Sequence, residues 1–96
     1  MSGGRAEPRQ LIAMQPNEPY YADDTHGVHF EVYVDGLPVQ AYVAGTVLAG
    51  AYGPMSSGPD CVSAYLAHRA LIDAIVVRRV RVEGRDTILL RPKDLF

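Results

Sequence analysis

Residues 28–44 constrain this chain more than any other stretch. Val28, Phe30, Val32 and Val34 alternate with His29, Glu31, Tyr33 and Asp35, and after Asp35-Gly36 the run Val39, Ala41, Val43 alternates with Gln40, Tyr42 and Ala44. A period of two marks a strand with one buried face. Asp-Gly between two such runs signals a two-residue type I′ turn, which needs positive φ at both central positions. Pro38 selects the register. A Gly36-Leu37 loop would make Pro38 the closing residue and ask it for an amide hydrogen it lacks. An Asp35-Gly36 loop gives that task to Leu37, and Val34 then faces Leu37, Val32 faces Val39 and Phe30 faces Ala41. All the apolar residues fall on one face, as pairing with a buried side requires.

The rest of the domain must cover that face. Thr46 to Tyr52 reads as a short helix ended by Gly53-Pro54. A longer helix begins around Pro59, with Asp60 near its positive end, and runs to the region of Arg79. Val62, Tyr65, Leu66, Ile72, Val76 and Val80 form one broad stripe along it. Val80-Arg81-Val82 also alternates like a strand, but the helical stripe reaches Val80, so we read helix there. Glu83 to Asp86 is a turn, and Thr87 to Arg91 a final strand stopped by Pro92. The expected fold is therefore α+β: a small antiparallel sheet, made of the hairpin and a C-terminal strand, with a short and a longer helix on one face. Residues 1–19, with Pro8, Pro16 and Pro19, read as an irregular or mobile arm whose Leu11, Ile12 and Met14 can lie on the body; residues 20–96 read as the single domain.

Composition narrows the function classes. At 96 residues with 48% hydrophobic and 21% charged residues, the chain is an ordinary globular domain with little room for a deep cavity. A single cysteine, Cys61, excludes an intrachain disulfide and fits a reducing, cytoplasmic setting. No apolar run follows Met1-Ser2-Gly3-Gly4-Arg5, so no signal peptide is expected, and none reaches the roughly 20 residues of a membrane span. The net charge of −2 favours no charged partner by itself, but the first sixty residues are acidic and the remainder basic.

Taken in order, Tyr21-Ala22-Asp23, Val28-His29-Phe30, Val34-Asp35-Gly36, Val43, Ala67-His68-Arg69 followed by Ile72, and Ile88-Leu89-Leu90 with Asp94 resemble the small bacterial family catalogued as domain of unknown function 1488. The resemblance implies a compact α+β domain with a hairpin, helices and a last strand. It implies no activity, substrate or cofactor, so no catalytic residue is carried over. The long N-terminal arm and Val76-Val77 depart from the family's pattern.

Each candidate for chemistry has an ordinary counterpart. Asp23, Asp24, His26 and His29 offer zinc-type ligands, but residues three apart on a strand point to opposite faces, and we expect no metal site. Cys61 sits near a helix start but two turns from His68, so it reads as a buried thiol rather than a nucleophile. Gly45, Gly50 and Gly53 fit no phosphate-loop spacing. His29, Glu31, Tyr33, Gln40 and Tyr42 share the hairpin's outward face; aromatics there can stack bases, yet Glu31 and Asp35 make the face acidic.

Arg69 and Asp73 are expected to form a structural ion pair within the helical stripe. Arg78, Arg79, Arg81, Arg85 and Arg91 are the candidates for contact with an anion or nucleic acid, although Arg78 and Arg79 also suit a helix C-terminus. Ala67, Ala70, Leu71, Ala74 and Val77 give the long helix a second apolar side, for which a homodimer is the simplest cover. We therefore expect a non-enzymatic interaction or regulatory module without a cofactor, bound to a protein partner. A nucleic-acid-associated protein is the alternative, and a small metal protein or enzyme comes third.

Overall fold

A computed structural model describes residues 18–95. The arm expected over residues 1–19, with Leu11, Ile12 and Met14, lies almost wholly outside the described residues. The chain forms β1 (Tyr20–Ala22), β2 (Gly27–Val34), β3 (Leu37–Ala44), α1 (Gly45–Tyr52), α2 (Gly58–Ala67), α3 (Arg69–Glu83), β4 (Thr87–Leu89) and α4 (Pro92–Leu95). The strands make one four-stranded sheet in sequence order, so the class is α+β.

The central hairpin has the expected register: Val34 pairs with Leu37, Val32 with Val39 and Phe30 with Ala41. Asp35 and Gly36 both have positive φ, 53° and 82°, as the mirror-image turn demands. β1 adds a short antiparallel strand, pairing Tyr20 with His29 and Ala22 with Gly27 across the Asp23–His26 turn. Tyr20 and Tyr21 thus belong to the sheet.

Two expectations need correction. The sheet is mixed, not antiparallel: β4 runs parallel to β3, with Ala41 opposite Ile88. The three helices between β3 and β4 cross back over the sheet, and a crossover of that kind returns the chain in the same direction. The long helix is also two helices. At His68, φ −116° and ψ 23° leave the helical region, and the His68 amide closes α2 onto the Ala64 carbonyl at 3.2 Å. The imidazole stacks on Tyr52 with centroids 3.7 Å apart. The break lets α2 and α3 each lay a separate apolar face on the sheet.

Local signals fix the other boundaries. Ser57 caps α2 by accepting from the Asp60 amide, and the Asp60 carboxylate accepts from the Ser56 amide and hydroxyl. These Ser56 contacts hold the Asp60 carboxyl below its usual range. α3 continues through Val80-Arg81-Val82 to Glu83 and stops at Gly84, which adopts the left-handed conformation with φ 70°. Only Thr87–Leu89 of the expected final strand forms β4, and Pro92 opens a short helix.

The core lies between the helices and one sheet face. Val28, Phe30, Val32, Val34, Val39, Ala41, Val43 and Ile88 meet Leu48, Tyr65, Ile72, Ile75 and Val76 there, all buried. The Phe30 and Tyr65 rings sit 4.3 Å apart at its centre.

Candidate binding face

The residues that alternate with the core strands point away from the helices, and no described helix covers them. Register aligns them in rows. Tyr20 pairs with His29, His29 with Tyr42 and Tyr42 with Leu89, so one row crosses all four strands. Glu31, Gln40 and Thr87 form the next row, and Tyr33 faces Pro38 beyond it.

The first row is a built surface. Tyr20 stacks on His29 at 5.2 Å, and His29 meets Tyr42 at 4.9 Å. The Asp23–His26 turn holds both inner rings: Thr25 Oγ1 lies 2.8 Å from His29 Nε2, and the Tyr42 hydroxyl donates to the Thr25 carbonyl. The Tyr42 ring also crosses over Gly27. A Cβ at Gly27 would fall 2.5 Å from that ring and 2.6 Å from the Val43 carbonyl oxygen, so only glycine fits beneath it. The row's ends remain accessible, with Tyr20 57% and Leu89 59% exposed.

Between Thr25, His29, Gln40, Ala41, Tyr42, Thr87 and Leu89 lies an open cavity of about 470 Å³. In the second row the Gln40 amide donates to one Glu31 oxygen at 2.8 Å. The other Glu31 oxygen is buried without a hydrogen-bond partner. The arrangement offers aromatic and aliphatic contact area with a few fixed polar groups.

The five arginines are differently employed: Arg79, Arg85 and Arg91 gather near Glu83, whose carboxyl they help hold below its usual range, whereas Arg81 reaches Asp35. Arg79 is mostly buried and clasps the C-terminal end: Nε donates to Glu83 at 2.8 Å, and Nη1 donates to the Leu89 carbonyl at 2.6 Å and to Asp94 at 2.9 Å. The hydrogen bond it donates to Glu83, aided by the Asp94 charge, raises the guanidinium's pKa against the effect of burial. Burial opposes charge on Asp94, but the Arg91 amide and guanidinium together with Arg79 hold its carboxyl below the usual range. Arg91 lies 3.3 Å from Asp94, and Arg81 3.3 Å from Asp35. Arg78 and Arg85 stand exposed.

Arg69 meets Asp73 at 3.6 Å, but its side chain is 48% exposed, so this is a surface pair beside the stripe. Its guanidinium lies 5.8 Å from the Tyr65 ring centre. Asp73 also accepts from the buried Tyr65 hydroxyl at 2.7 Å, and burial first, then Asp73, push that phenol's pKa upward. Cys61 is buried and free, and burial together with the Asp60 charge raises its thiol pKa, the opposite of nucleophile activation. His26 lies in the exposed turn with φ 55°, while His29 belongs to the aromatic row. Among the described residues no group of three or more His, Cys, Asp or Glu is placed to hold a metal ion.

The outward hairpin residues were legible from alternation. Tyr20, Thr25 and Leu89 were missed as members of the same surface. The sequence signal for Tyr20 was the aromatic pair before a four-residue polar turn; Leu89 had none without the direction of β4.

Fold and surface together define a two-layer α+β domain in which no described helix covers one sheet face. The chain belongs to the family described as Protein of unknown function (DUF1488), which matches residues 15–90. No curated protein and no solved structure matches it. No described helix is long and apolar enough to cross a membrane.

Proposed function

We propose that this chain is a non-enzymatic interaction module, working in a reducing cytoplasmic setting, whose uncovered sheet face receives a protein partner. The observation that carries the reading is the aligned row Tyr20, His29, Tyr42 and Leu89, whose two inner rings bond to Thr25 and whose ends are exposed. Large rigid aromatics give contact area at low entropic cost. The test places a photo-crosslinking residue at position 89 and, as a control, at Arg78 on the helical side. Discrete protein adducts from position 89, lost on Tyr20→Ala and not seen from position 78, support the face; equal labelling from both positions removes it.

Two further forms of the reading rest on particular residues. A homodimer draws support from exposed Leu66 and Leu71 beside the exposed Ala67, Ala70 and Ala74 on α2 and α3. Sedimentation at increasing concentration checks it, and a monomer throughout removes it. The nucleic-acid reading retains only Arg78 and Arg85 as exposed arginines without a carboxylate partner among the described contacts. We expect binding no tighter than roughly 10⁻⁴–10⁻⁶ M, fading with salt. Anisotropy of labelled DNA and RNA across a salt series measures it.

A further inference from the structure

The sheet has two edges, and they are treated differently. In β4 the outward-pointing groups belong to Thr87 and Leu89, because Gln40 and Leu90 amides already tie β4 to β3 through the Asp86 and Tyr42 carbonyls. Arg79 takes the Leu89 carbonyl at 2.6 Å and fills that edge with a side chain. A blocked edge resists further strand pairing.

The opposite edge is only half covered. β1 pairs with Gly27, Val28 and His29 of β2 and ends at Tyr20. From Phe30 to Val34 no described strand lies against β2 on that side. The hairpin closes on Val34 and Leu37, so even-numbered residues of β2 bond to β3 and odd-numbered ones direct their amide and carbonyl the other way. Glu31 and Tyr33 therefore present two donors and two acceptors along an edge with no partner strand among the described residues. Continuing β1 beyond Tyr20 would serve them poorly. By its register it would set Glu18 against Glu31, a like-charge pair.

The side chains at this edge state what fits. Glu31 has one oxygen bound by Gln40 and a second without a partner. Tyr33 is 56% exposed, two residues along the same face, and Tyr20 is 57% exposed on the neighbouring strand. A carboxylate with one buried oxygen lacking a partner suits a cation opposite it on an added strand, as an opposite-charge cross-strand pair. We infer that the Phe30–Val34 edge of β2 accepts an extended segment of a partner protein by strand addition, with an arginine or lysine opposite Glu31. This inference rests on the interaction-module reading and assigns the partner's chemistry at one end of the same face.

The probe is a capped alternating peptide, acetyl-Thr-Val-Arg-Val-Thr-amide, titrated into the full chain and followed by amide chemical shifts. A central arginine should perturb the Glu31 and Tyr33 amides, and replacing it by glutamate should weaken the effect about ten-fold or more, the scale of one opposite-charge pair turned into a like-charge pair. Glu31→Gln should reduce the preference between the two peptides several-fold while leaving the fold's spectrum intact. Equal response to both peptides, or shifts confined to Thr25, Thr87 and Leu89, would overturn the cation assignment. Amide exchange in the free chain is the second measurement. Fast exchange at Glu31 and Tyr33 is expected; protection there means the edge is already filled, by the chain's own first residues if independent of concentration or by a second copy if not, and either result sinks the proposal. Crosslinking from position 89 that survives Glu31→Gln unchanged would leave the face reading standing and remove this one.

Discussion

The covered and uncovered faces of the sheet use the same strands at alternate residues, yet they are held by different means. On the covered face Phe30 and its neighbours contribute through area removed from water and close packing against Tyr65 and Ile72. On the uncovered face His29 and Tyr42 are positioned by hydrogen bonds to a single turn residue and by ring contacts. Area alone makes a core, whereas a surface that stays wet needs directional contacts to keep its shape. The difference makes the first face intolerant of lost volume and the second intolerant of added volume.

The sharpest way to break this contrast is a paired truncation on β2. Phe30→Ala should cost about 3–5 kcal/mol through lost burial and a cavity beside Tyr65. Tyr33→Ala, three residues along the same strand but exposed, should cost under about 1 kcal/mol. Urea midpoints of the two variants decide it, and similar losses would abolish the distinction.

Gly27→Ala asks the reverse question on the uncovered face. The added methyl meets both the Tyr42 ring and the Val43 carbonyl, and the carbonyl cannot swing aside. A loss of about 1–3 kcal/mol is expected, the range for overpacking, although nothing is removed. A neutral result in thermal unfolding would mean that the aromatic row is loosely held.

The Arg79 clasp gives an intermediate effect with a pH signature. Asp94 titrates below an ordinary carboxyl in the folded state, so its contribution is present above the unfolded carboxyl value of about 4 and is lost as pH falls through the lower folded value. Asp94→Asn should cost about 2 kcal/mol at neutral pH, with a shallower acid limb of the stability curve than the parent chain. Parallel limbs in both proteins would show that the clasp is not the source of acid sensitivity.

Tyr65→Phe should lose about 1 kcal/mol for its bond to Asp73, and Arg69→Ala the least, under about 1 kcal/mol, because its pair with Asp73 is half exposed. A larger loss at Arg69 than at Tyr65, measured by melting, would place the main hold on Asp73 outside the core.

What could be read from the chain follows the range of each signal. The hairpin register was legible because one missing hydrogen on Pro38 excluded the alternative. The covered face was legible because alternation needs no knowledge of partners. The direction of β4 was not, since three residues alternate identically in either sense. The break at His68 was hidden because the apolar stripe runs through it without a phase change, and the Tyr52 ring that stacks on it lies sixteen positions away. The binding face was half legible: β2 and β3 supplied His29 and Tyr42, but Tyr20 and Leu89 join their row only once both flanking strands are paired.

The parallel placement of β4 bears on how the chain emerges during synthesis. β1, β2 and β3 pair with near neighbours in sequence and can close as soon as residue 44 is made. β4 must wait for three helices, and the Arg79 clasp for Asp94 as well. Until then β3 offers its bare side to any other nascent strand, since distant pairings form slowly and leave sticky intermediates. The residues from 87 onward therefore act as a seal on β3, and a chain cut before residue 87 would be prone to aggregate although most of its core is present.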